Sequence, residues 1–222
     1  MAEVAKGVRR VPGFSNSYLV EQPDGKLTLV DCGFQPNGEK ILAEVASMGR
    51  KPADVTMIVL THGHQDHSRG AAKLKGATGA RLAAHESEVD YVTQKNRYPP
   101  PKGGMRAMAA LLGAFVKVAP AEVDVRLKEG DKVGRLEVVH TPGHTPGSIV
   151  LLDPATKSVF SGDTVVSEKE GLSGPNSSFT MDMDEAKRSV VKISALSFET
   201  VLPGHGDPFT AADAPARVRK LA

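Results

Sequence analysis

The sequence predicts an α/β (α+β) fold in one domain of residues 1–222. Short apolar runs that end at glycine or proline alternate with stretches of helical periodicity, which is the pattern of strands packed against helices. The chain has 222 residues and a mass of 23.5 kDa, enough for one large domain. Its hydrophobic content of 40% and charged content of 24% are those of an ordinary globular protein.

In the N-terminal half, strands are predicted where apolar runs are short and helices where apolar residues recur every three to four positions. Proline opens and glycine closes the first helical stretch, as helix ends prefer. A continuous apolar run suits a strand that is buried on both faces. The predicted elements are strands 17–22 and 26–31 about a turn at 23–25, helix 36–48 before Gly49, strand 55–60, a short helix closed by Gly76, and strand 80–85.

The C-terminal half begins with a segment of different character at residues 86–118. It contains three consecutive prolines and then a predicted helix from Met105 to Phe115, which is either a core helix or a lid over a substrate site. The rest of the half reads as strands joined by glycine turns and two helices. The predicted elements are two or three strands in 123–141, strands 148–153, 158–160 and 200–202, helix 182–196 capped by Asp182 or Asp184, and a last helix with a capping box of Thr210 and Asp213.

Composition excludes several classes of protein. The net charge is only +2 and no block of Lys or Arg stands out, so a nucleic-acid partner is not expected. No apolar run reaches the roughly 18 residues of a membrane span, and no apolar stretch follows the N-terminal charges, so neither a membrane helix nor a secretory leader is expected. A single cysteine, Cys32, permits no intrachain disulfide and fits a reducing cytoplasm.

Five of the seven histidines lie in motifs typical of metal sites. Residues 61–67 read THGHQDH and follow a predicted buried strand. His62 and His64 are two apart, so in an extended chain both rings point to the same side and can reach one metal ion. Asp66 and His67 come where the chain turns toward a helix, and they are available to a second ion. Imidazole and carboxylate ligands suit zinc, manganese or iron(II).

Three further loops carry matching groups. His144, Asp163 and His205 each follow a predicted strand and are each flanked by glycine, which lets the backbone approach an ion closely. Four strand ends that all deliver metal-type ligands indicate one rim at which the loops meet.

These motifs resemble those of the metallo-β-lactamase superfamily of hydrolases, over nearly the whole chain. The resemblance implies an αββα sandwich of two mixed sheets flanked by helices, with a dinuclear site at one edge. It implies two divalent ions, with zinc favoured and iron or manganese as alternatives, and a metal-bridging hydroxide as the nucleophile. It also implies a proton-transfer role for Asp66. The implied ligands are His62, His64 and His144 for the first ion, Asp66, His67 and His205 for the second, and Asp163 as the bridge.

Several neighbouring residues receive supporting roles. In the family the residue matching Asp31 hydrogen-bonds a ligand histidine, which would fix the imidazole tautomer. His140 is interpreted as a structural histidine, His85 as a surface or helix-start residue, and Cys32 as a small buried residue. No residue is assigned to substrate binding. Ser148 and Ser161 are interpreted as turn and packing residues, and Tyr91, Tyr98 and Phe115 are candidate substrate contacts.

The preferred function is hydrolysis of an ester-type bond in a small molecule: a lactone, a carboxylic ester or a thioester. Two alternatives from the same fold are a mononuclear iron oxygenase of the persulfide-dioxygenase type and a phosphodiesterase, phosphotriesterase or nuclease. Glyoxalase II shares the motifs, but its glutathione-binding part lies in a C-terminal extension that has no counterpart in the 17 residues after His205. A homodimer formed through residues 86–118 is an alternative to a monomer.

Overall fold

The computed structural model describes residues 3–102, 119–169 and 171–222. Two β-sheets lie face to face, and helices cover the outer face of each sheet. The structure therefore confirms the α/β (α+β) class and the αββα sandwich of two mixed sheets.

The first sheet has seven strands whose spatial order follows the chain. Its first four strands pair antiparallel, and the fourth to seventh pair parallel, so the sheet is mixed. The strands are β1 (Glu3–Ala5), β2 (Val8–Val11), β3 (Ser17–Glu21), β4 (Leu27–Val30), β5 (Val55–Val59), β6 (Arg81–His85) and β7 (Val125–Leu127).

The second sheet has six strands, and a separate two-stranded ribbon lies in the chain between two of them. Within the sheet, the fourth strand along the chain runs parallel to the fifth, and the other pairs are antiparallel. The sheet comprises β8 (Lys132–Val133), β9 (Leu136–His140), β10 (Ile149–Asp153), β11 (Ser158–Gly162), β14 (Thr200–Pro203) and β15 (Phe209–Thr210), and the ribbon β12 (Val166–Glu168) and β13 (Gly171–Ser173).

Helices pack against the outer faces through their apolar sides. The first sheet is covered by helices from the N-terminal half, and the second by the last two helices of the chain. The α-helices are Gln35–Ser47, Gln65–Ser68, Ala71–Thr78, Val89–Val92, Met183–Ile193 and Ala214–Arg219, with 3₁₀ turns at Pro52–Asp54 and Glu86–Glu88. None of the helices in the described ranges has the length and apolar character that a membrane span needs.

The core between the sheets is built from side chains of both inner faces. Tyr18 of β3 and Phe160 of β11 meet edge to face at its centre, with ring centroids 5.3 Å apart. The Tyr18 hydroxyl donates a 2.7 Å hydrogen bond to the carbonyl of Pro203, at the end of β14. Each fully buried side chain of this size contributes about 1.5–3 kcal/mol. This core fixes the strand ends from which the ligand loops emerge.

Some predicted boundaries are wrong for local reasons. The short helix continues past Gly76 and ends at Gly79, whose φ of 73° is the left-handed conformation that favours glycine at helix ends. Thr210 does not cap the last helix because it lies in β15, opposite Thr200. Asp182, not Asp184, caps helix Met183–Ile193, where it accepts a 2.9 Å hydrogen bond from the Glu185 N–H.

Strands β1, β2, β12 and β13 were not predicted. The helix predicted from Met105 to Phe115 lies in residues 103–118, outside the described residues, as does the Phe115 side chain.

Candidate functional site

The loops that carry the predicted ligands leave neighbouring strand ends at one edge of the sandwich. The motif at residues 61–67 follows β5, and Asp163 and His205 follow β11 and β14, which run parallel and therefore end at the same edge. The Ile149 N–H donates a 2.9 Å hydrogen bond to the carbonyl of Thr61, which joins the edges of the two sheets. The structure brings together all seven predicted ligands, namely His62, His64, Asp66, His67, His144, Asp163 and His205.

The first group consists of three buried or nearly buried imidazoles. The ring centroids of His62, His64 and His144 are 4.8 Å apart in each pair. Nδ1 of His64 lies 3.0 Å from Nε2 of His144. Nε2 of His62 is buried and has no hydrogen-bond partner within the described residues. Three nitrogen atoms that face one another across so small a space fit a tetrahedral ion with one open position.

The second group combines a carboxylate with two imidazoles. Nε2 of His205 lies 3.1 Å from Oδ2 of Asp66 and 3.4 Å from Nε2 of His67. Nε2 of His67 lies 3.6 Å from the same Asp66 oxygen. The candidate ligand atoms of this group all lie within 4.8 Å of one another.

Asp163 lies between the two groups. Its Oδ1 is 3.2 Å from Nε2 of His67, and its Oδ2 is 3.4 Å from Nε2 of His205 and 3.6 Å from Nε2 of His144. One carboxylate thus faces nitrogen atoms of both groups. A Cβ added at Gly204 would lie 2.5 Å from Oδ1 of Asp163. Only glycine allows the backbone before His205 to pass this close.

In the first group, the outer nitrogen of two histidines is committed to threonine hydroxyls. The Thr61 hydroxyl donates to Asp31 at 2.7 Å, so it accepts the Nδ1–H of His62 at 3.1 Å. The Thr180 hydroxyl likewise donates to a backbone carbonyl and accepts from Nδ1 of His144 at 3.2 Å. The hydrogen-bond network therefore assigns both protons to Nδ1 and leaves a lone pair on each inward Nε2.

The second group follows the same rule with different acceptors. Nδ1 of His67 donates to Oδ2 of Asp31 at 2.8 Å, and Nδ1 of His205 donates to the Phe14 carbonyl at 3.0 Å. Their Nε2 atoms face carboxylate oxygens, an arrangement that a proton or a metal ion must hold together. Four inward Nε2 atoms and two carboxylates that converge on one space are the donor set of a divalent metal site.

The pKa values of the histidines differ between the two groups. In the first group, burial and the neighbouring imidazoles lower the pKa of His62 well below its usual value and that of His64 to about 3, so these rings are neutral. In the second group, burial acts in the same direction. However, hydrogen bonds with Asp163 and Asp66 outweigh it and raise the pKa of His205 to about 10.

We expect metal uptake by the chelator-treated protein to release protons. His205 is then protonated up to about pH 10, and an ion at its Nε2 must displace that proton. Affinity for the second ion should therefore rise with pH up to about 10, where His205 loses this proton without the metal. The stabilisation that protonated His205 gives the metal-free fold is complete below about pH 6.5 and is lost as the pH approaches 10. Calorimetric titration of the metal in buffers of different ionisation enthalpy measures the released protons, and uptake without release would contradict the expectation.

Asp31 accepts hydrogen bonds from two residues of the 61–67 motif, Thr61 and His67. Its carboxylate accepts the Thr61 N–H at 2.8 Å in addition to the Thr61 hydroxyl and Nδ1 of His67. Its backbone is left-handed, with φ of 58°, a conformation that Asp and Asn adopt more readily than other non-glycine residues.

Asp31→Asn should weaken metal binding by about 10- to 100-fold. The amide nitrogen would face Nδ1 of His67 and favour the tautomer with the proton on Nε2, which blocks the lone pair. Chelator competition measures the affinity, and Asp24→Asn in the exposed hairpin turn is the matched control. Equal affinities in the two variants would contradict this role.

Glu88 is a buried residue of the site that the sequence analysis missed. Its Oε2 accepts the Gly63 N–H at 2.7 Å and the hydroxyl of Tyr98, and its Oε1 accepts the Gly147 N–H at 2.8 Å. Gly63 lies between two ligands of the first group, and Gly147 lies three residues after His144. One carboxylate therefore joins the two loops that form this group. The sequence around Glu88 does not indicate this role, because its contacts with Gly63 and Gly147 span 25 and 59 positions of the chain.

The tyrosine candidates for substrate contact lie beside the first group. The Tyr98 ring packs on His64 with centroids 4.4 Å apart, but its hydroxyl is bonded to Glu88. Tyr91 stacks on Tyr98. The hydroxyl of Tyr98 is thus already hydrogen-bonded to Glu88, and its ring packs against His64, a candidate metal ligand.

The remaining predicted residues have structural contacts. His85 is buried, not on the surface, and its Nδ1 accepts from the Ser87 N–H at the start of a 3₁₀ turn. His140 stacks on His85, and its Nε2 donates to the Pro146 carbonyl. Ser148 and Ser161 form turn hydrogen bonds, with Thr145 and Val165 respectively. Cys32 is fully buried.

Comparisons with known proteins agree with this arrangement. A family model described as the metallo-beta-lactamase superfamily matches residues 10–205. The probable metallo-hydrolase YflN of Bacillus subtilis is 29% identical, over 94% of this chain and 87% of that protein. The hydroxyacylglutathione hydrolase of Cereibacter sphaeroides is 30% identical, over 88% of this chain but 64% of that protein.

Solved structures with the same fold include metal-bound and β-lactamase examples. TTHA1623, solved in a di-iron-bound form, has a TM-score of 0.74 and 28% identity, covering 97% of this chain and 99% of that one. The subclass B3 metallo-β-lactamase BJP-1 of Bradyrhizobium japonicum has a TM-score of 0.72, covering 99% of this chain and 89% of that one. At 22% identity, this second similarity shows a shared fold only.

Proposed function

This chain belongs to the metallo-β-lactamase superfamily and is a metal-dependent hydrolase, and from this premise we propose that it cleaves an ester-type bond at a dinuclear centre. The bond is a lactone, a carboxylic ester or a thioester of a small molecule. The observation that carries the proposal is the position of Asp163, whose two oxygens face nitrogen atoms of both ligand groups.

In this proposal, the seven residues divide between two ions. The first ion would be held by His62, His64 and His144, whose rings are neutral. The second would be held by Asp66, His67 and His205, in place of the protons that join these groups. Asp163 would be shared by both sites.

The donor set suits zinc best among common divalent ions, with iron and manganese as alternatives. The di-iron form of the related TTHA1623 supports iron as a serious alternative. Bound divalent ions would lower the pKa of a water molecule toward neutrality and polarise the carbonyl under attack.

The chain's own residues orient the site and move the proton. Thr61, Asp31 and the Phe14 carbonyl hold the rings of His62, His67 and His205, so these three imidazoles need not rotate when a metal ion binds. The exposed fraction of the side chain is 20% for Asp66 and 15% for Asp163. Both carboxylates are thus largely buried, and because Asp163 is shared by both sites in this proposal, we assign to Asp66 the transfer of a proton to the leaving alkoxide or thiolate.

The first experiment is elemental analysis of protein purified without added metal or chelator, followed by a panel of lactones, carboxylic esters and thioesters. About two equivalents of metal and hydrolysis of at least one class are expected. One equivalent of iron with oxygen uptake on glutathione persulfide would favour the oxygenase. Cleavage of an aryl phosphodiester alone would favour the phosphodiesterase. The monomer or homodimer state and the cytoplasmic location remain predictions from the sequence.

A further inference from the structure

An exposed aromatic pair lies beside the second ligand group. Phe14 is 73% exposed, and Phe179 is the other exposed large hydrophobic residue in the described ranges. The Phe14 ring lies 5.4 Å from the Phe34 ring and meets His205 edge to face at 5.7 Å. Leaving a phenylalanine this open to water forgoes most of its burial energy, so the ring is available to a ligand. A molecule whose reacting bond lies at His205 would pass over this pair.

Arg69 provides a cation beside the second ring of this pair, Phe34. Its guanidinium carbon lies 6.0 Å from the centroid of the Phe34 ring. Its Nε is buried without a hydrogen-bond partner, and no carboxylate in the described part of the chain forms an ion pair with it. By contrast, Arg9, Arg10 and Arg135 each pair with an acidic side chain. Arg69 as a whole is half-buried. A guanidinium with no acidic partner among the described residues is suited to a planar anion, which such a group can bind through two parallel hydrogen bonds.

We propose that Phe14, Phe34 and Arg69 form a substrate subsite for an apolar chain or ring that ends in a carboxylate. This inference rests on the proposed function and specifies its substrate class. The scissile carbonyl lies at the metal centre, the apolar part covers the two rings, and the carboxylate pairs with Arg69. The order of contacts from His205 to Phe14, Phe34 and Arg69 sets this order of groups along the substrate.

The subsite can be altered while the hydrogen bond that holds His205 is kept. Phe14 holds His205 through its backbone carbonyl, which Phe14→Ala retains. The matched controls are Phe179→Ala, which removes the other exposed phenylalanine, and Arg219→Gln, at the end of the last helix on the outer face of the second sheet.

Three p-nitrophenyl esters separate the contributions: the acetate, the hexanoate and the suberate monoester, which carries a terminal carboxylate. Arg69→Gln should raise KM for the suberate monoester by about tenfold and leave the other two within about twofold. Phe14→Ala should raise KM for both longer esters and spare the acetate. Equal changes for all three esters, or none in either variant, would overturn the subsite.

A binding measurement distinguishes failure of the subsite from failure of the proposed function. Calorimetry with suberate and hexanoate on the metal-loaded protein needs no turnover. Tighter binding of suberate by the parent protein, lost in Arg69→Gln and kept in Arg219→Gln, supports the subsite even if no ester is cleaved. Equal binding of the two acids by the parent protein would overturn the subsite even if esters are cleaved.

Discussion

Asp163→Ala is expected to lower kcat/KM for any hydrolysed substrate by about 1,000-fold while leaving the fold intact. The carboxylate faces nitrogen atoms of both ligand groups. Without it, the two ions lose their common ligand and no longer act on one substrate. A loss of about 4 kcal/mol of transition-state stabilisation corresponds to this factor.

The measurement pairs steady-state kinetics with elemental analysis and circular dichroism. Asp207→Ala is the matched control, because Asp207 lies two residues after His205 and pairs with Arg10 instead of the ligand groups. The control should keep its metal and most of its activity. Hydrolysis at the parent rate by the Asp163 variant would rule out a dinuclear mechanism, and a lost fold would require the milder Asp163→Asn.

The convergence of the ligand loops could be predicted because it depends on local features. His62, Asp163 and His205 each come directly after an apolar strand and beside a glycine, and strand ends of a sandwich meet at an edge. The helices and the long apolar strands could be predicted for the same reason, because their patterns are read from residues that are close in sequence. For the same reason, the helix end at Gly79 was missed: Gly76 and Gly79 look alike in sequence, and only the backbone conformation separates them.

The resemblance indicated Asp31 as a residue that holds a histidine ring, but two others, Thr180 and Phe14, were missed because their contacts are long-range. Thr180 reaches His144 across 36 positions, and the Phe14 carbonyl reaches His205 across 191. A threonine hydroxyl or a backbone carbonyl has no motif of its own. Strand β2 was missed because two arginines occupy its centre, and its pairing with β3 is what fixes it as a strand.

Glu88→Gln is expected to remove metal selectively from the group of His62, His64 and His144. Two glycine N–H groups and the Tyr98 hydroxyl all donate to this carboxylate. Burial raises its pKa despite these hydrogen bonds. An amide keeps one acceptor and turns an N–H toward a backbone N–H, so one of the two loops loses its anchor.

The expected magnitude follows from the kind of contact that is lost. Groups that position metal ligands typically change metal affinity by about 10- to 100-fold when mutated. We expect the first ion to bind weaker by this factor and the ion at Asp66, His67 and His205 to bind as before. Tyr98→Phe removes only one of the three hydrogen bonds, leaves both loops anchored, and should have a smaller effect.

The control for this prediction is a substitution of another buried glutamate, Glu44. Glu44 lies in helix Gln35–Ser47 and pairs with Arg9 at 3.1 Å. Glu44→Gln should lower Tm without changing the affinity of either ion, because it weakens the ion pair with Arg9 of β2, which is not a residue of the ligand loops. If Glu88→Gln weakened both ions equally and only in proportion to its loss of Tm, Glu88 would be a stabilising residue of the fold. A selective loss at one ion, at a temperature where both variants are folded, would establish it as a positioning residue of the metal centre.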